Sequence, residues 1–227
     1  MGTNTVMDTG MGVDVKICGI ITPAIMTAAL DAGADYVGLV FFPKSPRHVD
    51  LTTAAKLAEM ASGTADVVAL MVDPTDAQVA EIATQIGPDV IQLHGSETPE
   101  RVAEVRQSSG ARVMKAIAVA SAADAARAHD YAEASDLILF DAKPPTGSDL
   151  PGGNGVGFDW SLLDAVRGEV DYMLSGGLTP ETVADAIAAT GCGAVDVSSG
   201  VESAPGVKDA DLIRAFIAAA AHPGAER

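Results

Sequence analysis

The sequence contains few cysteines and few aromatic residues, and it lacks long hydrophobic runs. Two cysteines among 227 residues give no disulfide framework, which excludes the small disulfide-stapled class and favours a reducing cytoplasm as the location. No apolar run approaches the roughly 20 residues that a membrane-spanning helix needs, so no membrane association is expected. Residues 1–12 lack the charged start and apolar stretch of a signal peptide, and we expect them to form a flexible N-terminal extension.

Positive charge is scarce as well. The 14 lysines and arginines face 31 aspartates and glutamates, which gives a net charge of −17. A surface this acidic repels nucleic acid and anionic membranes, so neither is expected as a partner. Only six of the basic residues are lysines. An excess of acid combined with little lysine indicates a halophilic protein, adapted to high salt in which repulsion between like charges is screened.

We therefore expect the free energy of unfolding to be larger in molar salt than in dilute buffer, because salt screens the repulsion between acidic side chains. Urea denaturation at both salt concentrations, followed by circular dichroism, measures the difference. Equal stability in the two conditions would contradict the predicted adaptation to salt.

What the sequence does contain is a regular alternation of short apolar runs with amphipathic stretches. A length of 227 residues fits one domain and suffices for a large core, and a hydrophobic content of 48% is too high for a disordered chain. Eight runs predict strands at residues 13–17, 36–41, 67–72, 90–93, 112–117, 137–140, 172–174 and 194–197. Strands that alternate with helices favour a parallel sheet, since parallel neighbours need a crossover. Eight such units predict an α/β fold, a single-domain (β/α)8 TIM barrel over residues 13–222, with a doubly wound open sheet as the alternative.

Helix starts are marked by capping residues or by prolines suited to a first turn. These signals stand at Thr22-Pro23, Asp50, Thr98-Pro99, Ser121 and Thr179-Pro180. One long irregular stretch, residues 142–157, follows the sixth strand and carries three prolines and five glycines. A loop of that length in a compact domain is typically functional, so we expect it to act as a lid.

A barrel of this kind keeps its catalytic residues just after the strands, where Cys18 and Asp141 stand. Cys18 could serve as a base, as a thiolate in surroundings that lower its pKa. Asp141 follows an apolar strand, where an acid tends to keep its proton, which suits a general acid. An acid and a base on separate strands predict proton transfer rather than hydrolysis. The alternatives are a buried structural cysteine and a capping or solvated aspartate.

The last two strand ends make the best phosphate site. Ser175-Gly176-Gly177 follows the seventh strand, and Ser198-Ser199-Gly200 follows the eighth. Glycines let a backbone approach a ligand closely, and free N–H groups bind anions. Barrels commonly hold phosphate after these two strands, so the pair predicts phosphate binding, with ordinary Gly/Ser turns as the alternative.

Three further polar residues are candidates for contact with a substrate. Arg47, in the loop after the second strand, could hold a carboxylate bidentately or be a solvated surface arginine. His94 follows the fourth strand as a ligand contact or a loop donor. Asp196, inside the eighth strand, could point into the barrel or form a structural pair. Only one strand end carries histidine, so no multi-histidine metal site is expected, and Cys192 is interpreted as structural.

Several motifs, in order over about residues 14–217, resemble the phosphoribosylanthranilate isomerase family of tryptophan biosynthesis. They are KICGI (16–20), GAD (33–35), GLVFFPKSPR (38–47), QLHG (92–95), GFDW (157–160), LSGGL (174–178) and VDVSSGVE (195–202). The resemblance implies a (β/α)8 barrel that converts N-(5-phosphoribosyl)anthranilate into 1-(2-carboxyphenylamino)-1-deoxyribulose 5-phosphate. This is an Amadori rearrangement that needs neither metal nor cofactor.

The resemblance also implies roles for the candidate residues. Asp141 would protonate the furanose ring oxygen, Cys18 would remove the C2′ proton, and Arg47 would bind the anthranilate carboxylate. His94 and Asp196 match family positions in or near the site. The phosphate would be held, largely by backbone N–H groups, at Gly176, Gly177, Ser198, Ser199 and Gly200. The implied partner is a small phosphoribosyl substrate, and the protein is either a monomer or a homodimer.

Departures from the family pattern occur around the sixth loop. Gly157 stands where the family usually has a polar residue, and residues 146–150 lengthen the loop, which bears on lid motion rather than on the chemistry. Two other functions remain open. The related histidine-pathway isomerase usually carries aspartates at both catalytic strand ends, and Cys18 argues against it. A non-catalytic barrel that binds phosphorylated metabolites is disfavoured by the presence of Cys18 and Asp141.

Overall fold

The computed structural model describes residues 12–148 and 150–221. Within them, eight parallel strands close into a barrel in sequence order, with the first strand paired to the eighth. The predicted (β/α)8 barrel is therefore confirmed, and the open sheet is excluded. The expected extension lies outside the described residues except for Gly12, as does the expected boundary at residue 222, so the domain limits stay predictions. No helix in the described part of the chain is long and apolar enough to cross a bilayer.

The strands lie close to their predicted positions. They are β1 (Asp14–Cys18), β2 (Tyr36–Val40), β3 (Asp66–Met71), β4 (Val90–Leu93), β5 (Arg112–Val119), β6 (Leu137–Ala142), β7 (Tyr172–Leu174) and β8 (Ala194–Val197). The fifth and sixth strands run two residues further than predicted, because their pairing continues through Ala118 and Asp141 to Val119 and Ala142. Asp141 is thus held inside the sheet rather than in the loop after it.

The helices surround the barrel. They are α1 (Pro23–Ala32), α2 (Leu51–Ala61), α3 (Asp76–Gln85), α4 (Pro99–Ser109), α5 (Ala122–Ala126), α6 (Val183–Thr190) and α7 (Ala210–Ala220). Two corrections apply. Between β6 and β7 the chain forms a 3₁₀ helix, Trp160–Val166, instead of an α-helix. After β7, the signal at Thr179-Pro180 opens a turn, closed by a hydrogen bond from the Thr179 N–H to Thr182 Oγ1, and α6 begins only at Val183.

Four of the predicted helix starts are confirmed. The side chains of Thr22, Asp50, Thr98 and Ser121 each accept a backbone N–H from the first turn of the helix that follows. These bonds satisfy donors that a helix leaves unpaired at its N-terminus. These four side chains thus fix where α1, α2, α4 and α5 begin.

Two apolar layers hold the barrel together. The larger lies between strands and helices, and the smaller fills the barrel interior with strand residues such as Val68, Met114 and Leu139. Polar residues replace apolar ones toward the carboxyl ends of the strands. Gln92, Asp141 and Asp196 each follow an interior apolar residue by two positions, and therefore share its face. The apolar layer thus forms the floor on which a polar site rests.

Three aspartates at the opposite end of the barrel join neighbouring strands. They stand just before β2, β4 and β6, and each carboxylate accepts a backbone N–H from the preceding strand. The bonds run from Val15 to Asp35 at 2.8 Å, from Val67 to Asp89 at 2.8 Å and from Val113 to Asp136 at 2.9 Å. The same contact therefore recurs between β1 and β2, between β3 and β4, and between β5 and β6.

Replacing Asp89 with alanine should lower the free energy of unfolding by about 1–3 kcal/mol, because the Val67 N–H loses a charged acceptor at the edge of the core. Urea denaturation in molar salt measures the change. Asp31→Ala, at an exposed position of α1, is the matched control and should stay within about 0.5 kcal/mol of the parent. Equal stability of the two variants would show that the contact does not stabilise the barrel.

Candidate active site

The carboxyl ends of the strands surround a pocket whose empty space, counting its open mouth, is about 770 Å³. The predicted site residues that line it are Cys18, Arg47, His94, Asp141, Gly176, Gly177, Asp196, Ser198 and Ser199. Gly200 is not among the lining residues. A Cβ at this position would collide with the Leu178 carbonyl oxygen, so Gly200 lets the two glycine-rich loops pack closely. Its predicted place in the phosphate site stays a prediction.

Asp141 is buried and stands in a row of three polar side chains. His94 Nε2 lies 3.3 Å from Asp141 Oδ2, and Gln92 Nε2 lies 3.0 Å from His94 Nδ1. When the Gln92 amide donates to Nδ1, the ring hydrogen sits on Nε2 and points at the carboxylate. Asp141 Oδ1 accepts the Ala142 N–H at 2.8 Å. His94 is therefore a partner of Asp141 and not a plain loop donor.

Cys18 is the last residue of β1, is buried, and lies against Val40 and Leu70. Burial raises the pKa of its thiol above the ordinary value, although the ammonium groups of Lys16 and Lys208 act in the opposite direction. The expectation that the surroundings lower this pKa is wrong, because the effect of burial outweighs the two nearby cations.

Lys16 and Asp196 form an ion pair inside the barrel. Lys16 is wholly buried, its Nζ lies 2.9 Å from Asp196 Oδ1, and Ser175 Oγ donates to Asp196 Oδ2 at 2.9 Å. Asp196 therefore both faces the pocket and pairs structurally, which combines the two predicted alternatives. Lys16 was not among the site residues predicted from the sequence. The signal was its spacing of two residues from Cys18, which places both side chains on one face of β1.

Arg47 is buried and is not a solvated surface residue. Its Nε and Nη2 donate to the two carboxylate oxygens of Glu202 at 2.7 and 2.9 Å, and Nη2 also donates to the Gly153 carbonyl at 3.2 Å. The guanidinium edge formed by Nε and Nη2, which could hold a substrate carboxylate through two hydrogen bonds, is thus bonded to Glu202. Nη1 lies against Gly153, at which a Cβ would come within 2.6 Å of it. Both terminal nitrogens of Arg47 therefore lie beside the pocket-lining loop, and of these two Nη2 is the one bonded to Glu202.

Lys208 connects this pair to the loop after β8. It lies in a hairpin of two short strands, β9 (Glu202–Ala204) and β10 (Val207–Lys208). Its Nζ donates to Glu202 Oε1 at 2.6 Å and to the carbonyl and hydroxyl oxygens of Ser198 at 3.0 and 3.3 Å. Although burial opposes it, the hydrogen bond from Arg47 and the charge of Lys208 hold the pKa of Glu202 below its ordinary value. Lys208 was not predicted from the sequence, because the hairpin that carries it was not among the predicted strands.

The glycine-rich loop after β7 has an unusual backbone conformation. Gly176 and Gly177 have φ values of +90° and +67°, a conformation that side-chain-bearing residues rarely adopt. Successive turns of this kind direct N–H groups toward a common point. Because α6 begins at Val183, this loop and the one at Ser198-Ser199, rather than a helix N-terminus at Pro180, are the parts that face the pocket.

The long loop after β6 covers the pocket. Residues 150–156 line it, and a Cβ at Gly152 would come within 2.5 Å of Asp141 Oδ2 and 2.7 Å of His94 Nε2. The loop thus lies directly over the acid candidate, in the place expected of a lid, and its motion stays a prediction. Among the residues that the structure describes, no three or more histidines, cysteines, aspartates or glutamates are grouped so as to hold a metal ion.

Comparison with known proteins gives one consistent result. The model of the family described as N-(5'phosphoribosyl)anthranilate (PRA) isomerase matches residues 15–219. An N-(5'-phosphoribosyl)anthranilate isomerase from Rhodopseudomonas palustris is 58% identical over 210 residues, which cover 92% of this chain and 96% of that relative. The crystal structure of phosphoribosyl anthranilate isomerase from Thermotoga maritima is 37% identical, with a TM-score of 0.83 over 92% of this chain and 98% of that one.

A further similar structure carries a ligand. It is a phosphoribosyl anthranilate isomerase in complex with reduced 1-(o-carboxyphenylamino)-1-deoxyribulose 5-phosphate. It is 35% identical to this chain, with a TM-score of 0.80, and the match covers 92% of this chain and 98% of that one.

Proposed function

This chain belongs to the N-(5'-phosphoribosyl)anthranilate isomerase family, and we propose that Cys18 and Asp141 carry out the Amadori rearrangement at the mouth of its barrel. The family makes it an isomerase of tryptophan biosynthesis. The observation that supports the two roles is that a thiol and a carboxyl group line one pocket from β1 and β6, which two other strands separate around the barrel. The thiol and the carboxyl group can therefore both contact a small sugar that is bound between them.

The first half of the reaction needs an acid. Asp141 gives a proton to the furanose ring oxygen, the bond from that oxygen to C1′ breaks, and a protonated Schiff base forms between C1′ and the anthranilate nitrogen. Asp141 is held by the Ala142 N–H on one oxygen and lies beside His94 on the other. The proton donor is therefore fixed in direction before the substrate reacts.

The second half needs a base. Cys18, as a thiolate, removes the proton from C2′, and the electron pair moves toward the nitrogen to give an enolamine. The enolamine gains a proton at C1′ and loses one from the hydroxyl at C2′, which gives the ketone. C1′ is reduced and C2′ is oxidised within one molecule, so atoms and electrons balance without a redox cofactor or a metal.

The rest of the pocket fits the two ends of this substrate. We assign the phosphate to the backbone at Gly176, Gly177, Ser198 and Ser199, supported by Gly200. The apolar wall of Val40, Phe42 and Leu70 beside Cys18 suits an aromatic ring. The carboxylate of that ring is assigned to Arg47, through Nη1, since Glu202 takes the other edge of the guanidinium.

The test of the proposed function is the loss of anthranilate-adduct fluorescence when the protein is added to freshly generated phosphoribosylanthranilate in molar salt. We expect rapid loss, with mass spectrometry showing a product of unchanged mass. A folded protein that produces no loss would overturn the proposal. Loss of the histidine-pathway substrate instead would assign the site to the related isomerase.

Arg47→Ala should raise KM by about tenfold to hundredfold and change kcat less, because a charged hydrogen bond to the substrate carboxylate is lost. Steady-state rates measure both constants. Arg47→Lys is the matched variant, since it keeps the charge and loses the planar geometry. Its KM should lie between that of the parent and that of Arg47→Ala. An unchanged KM in the alanine variant would remove Arg47 from the substrate site.

A further inference from the structure

We propose that Lys16 is a positioning residue for Cys18, and that its ammonium group, held in place by Asp196, makes the thiolate of Cys18 attainable. The inference rests on the proposed function, in which Cys18 removes a proton. It concerns a residue that the mechanism above does not use and that does not line the pocket.

Stability does not explain why Lys16 is buried, because burial of its charge lowers the free energy of unfolding. Its side chain is wholly buried in the interior of the barrel, where other strands contribute apolar residues such as Val68 and Ala194. Removing an ammonium group from water is offset only in part by a partner, and apolar replacements of buried ion pairs are often neutral or stabilising. A role in the chemistry of the adjacent site accounts for a lysine at this position.

The geometry connects Lys16 to Cys18 through one strand. Side chains two residues apart on β1 lie on the same face, so the thiol stands directly after the ammonium group along the barrel axis. Asp196 lies opposite Lys16 in the pairing of β1 with β8, and its second oxygen is held by Ser175. The ammonium group is therefore held on the same face of the strand as the thiol, one step further into the barrel, where its charge acts on the sulfur.

Three charged groups act directly on the thiol. Burial raises the pKa of Cys18, Lys16 lowers it, Asp196 raises it and Lys208 lowers it, in decreasing order of effect. Arg47 is a further cation on this side of the pocket, and the charge of Cys18 acts on it. Lys16 has the largest effect of the charged groups, so its loss should raise the pKa even if Asp196 then takes up a proton.

A second buried lysine provides a matched control. Lys115 Nζ lies 2.6 Å from Glu97 Oε2 and 2.9 Å from the Gly95 carbonyl, and its side chain is also almost wholly buried. It lies over the ring of Tyr131, among groups between the barrel and the helices, and does not line the pocket. Lys115→Met therefore removes a buried ion-paired lysine without removing a charge beside Cys18.

The experiment is the pH dependence of alkylation of Cys18 by iodoacetamide, followed by mass spectrometry in molar salt. The background is Cys192→Ser, which leaves Cys18 as the single thiol. Lys16→Met should shift the midpoint upward by about one pH unit or more, and slow alkylation at neutral pH by about tenfold. Lys115→Met should leave the midpoint at the parent value. A Lys16→Met midpoint equal to that of Lys115→Met would overturn the proposal.

A second variant keeps the test decisive if Lys16→Met does not fold. Asp196→Asn keeps the lysine and removes the anion, so the midpoint should move downward. A merely structural ion pair would not shift the midpoint in opposite directions when its two partners are replaced one at a time. A midpoint in Asp196→Asn that stays in place or rises would overturn the proposal.

The alkylation needs no turnover, so it separates this inference from the proposed function. If the parent protein shows no isomerase activity but the midpoints shift, the proposed function fails and the role of Lys16 stands. If the parent is active and Lys16→Met keeps both its midpoint and its kcat, the inference alone fails. In the active protein, Lys16→Met should lower kcat with little change in KM, because the ammonium group acts through Cys18.

Discussion

Asp141→Asn should lower kcat by about 10²–10⁴-fold while KM changes little. The amide has nearly the shape of the carboxyl group, so its carbonyl oxygen can still accept the Ala142 N–H that Asp141 Oδ1 accepts. It has no acidic proton to give to the ring oxygen, so the furanose opens only by the slower uncatalysed route. The rate of fluorescence loss at saturating substrate measures kcat, and its dependence on substrate concentration gives KM.

The matched control for this change is Asp31→Asn, at an exposed position of α1, which should keep the kcat of the parent. It shows that the amide substitution itself is harmless to the fold. A kcat of Asp141→Asn within a few-fold of the control would remove Asp141 as the acid. In that case His94, 3.3 Å away, becomes the next group to replace.

The order of strands and helices could be predicted because each element is specified by residues within or next to it. Each strand is a short apolar run, and each of four helices begins at a side chain that caps its own first turn, as Asp50 does through the Thr53 N–H. Cys18 and Asp141 were identified because strand ends are where such barrels place their chemistry.

The rest of the site depends on contacts between distant parts of the chain. Lys16 and Asp196 are 180 residues apart, and Arg47 and Glu202 are 155 apart, so no window of sequence contains either pair. A lysine inside an apolar run gives no sign of its partner until the barrel closes and β8 comes to lie beside β1.

The roles of two glycines also could not be predicted from the sequence. The sequence motif predicted Gly200 among the phosphate ligands and gave no sign that its small size also allows the approach of the Leu178 carbonyl. Gly152 was part of a loop predicted only as a lid, although no side chain larger than hydrogen fits between the loop and Asp141. A glycine required by a close contact and one required by a turn look alike in sequence.

Cys18→Ala should lower kcat by about 10²–10⁴-fold, because no group remains to remove the C2′ proton. Cys18→Ser keeps the shape but offers a hydroxyl, which loses its proton far less readily than a thiol, so a loss of similar size is expected. Cys192→Ser, which replaces the other buried thiol, is the matched control and should keep the parent kcat. A Cys18→Ala protein with near-normal kcat would remove Cys18 as the base.

The pH dependence adds a second test of the same role. Because burial raises the pKa of Cys18, the thiol form predominates at neutral pH. As long as the pH is below that pKa, the thiolate fraction grows about tenfold with each unit by which the pH rises. The kcat/KM of the parent should therefore rise with pH through the neutral and weakly alkaline range. The small residual rate of Cys18→Ala should lack this rise. A parent profile that is flat over that range would mean that a group other than the thiol takes the proton.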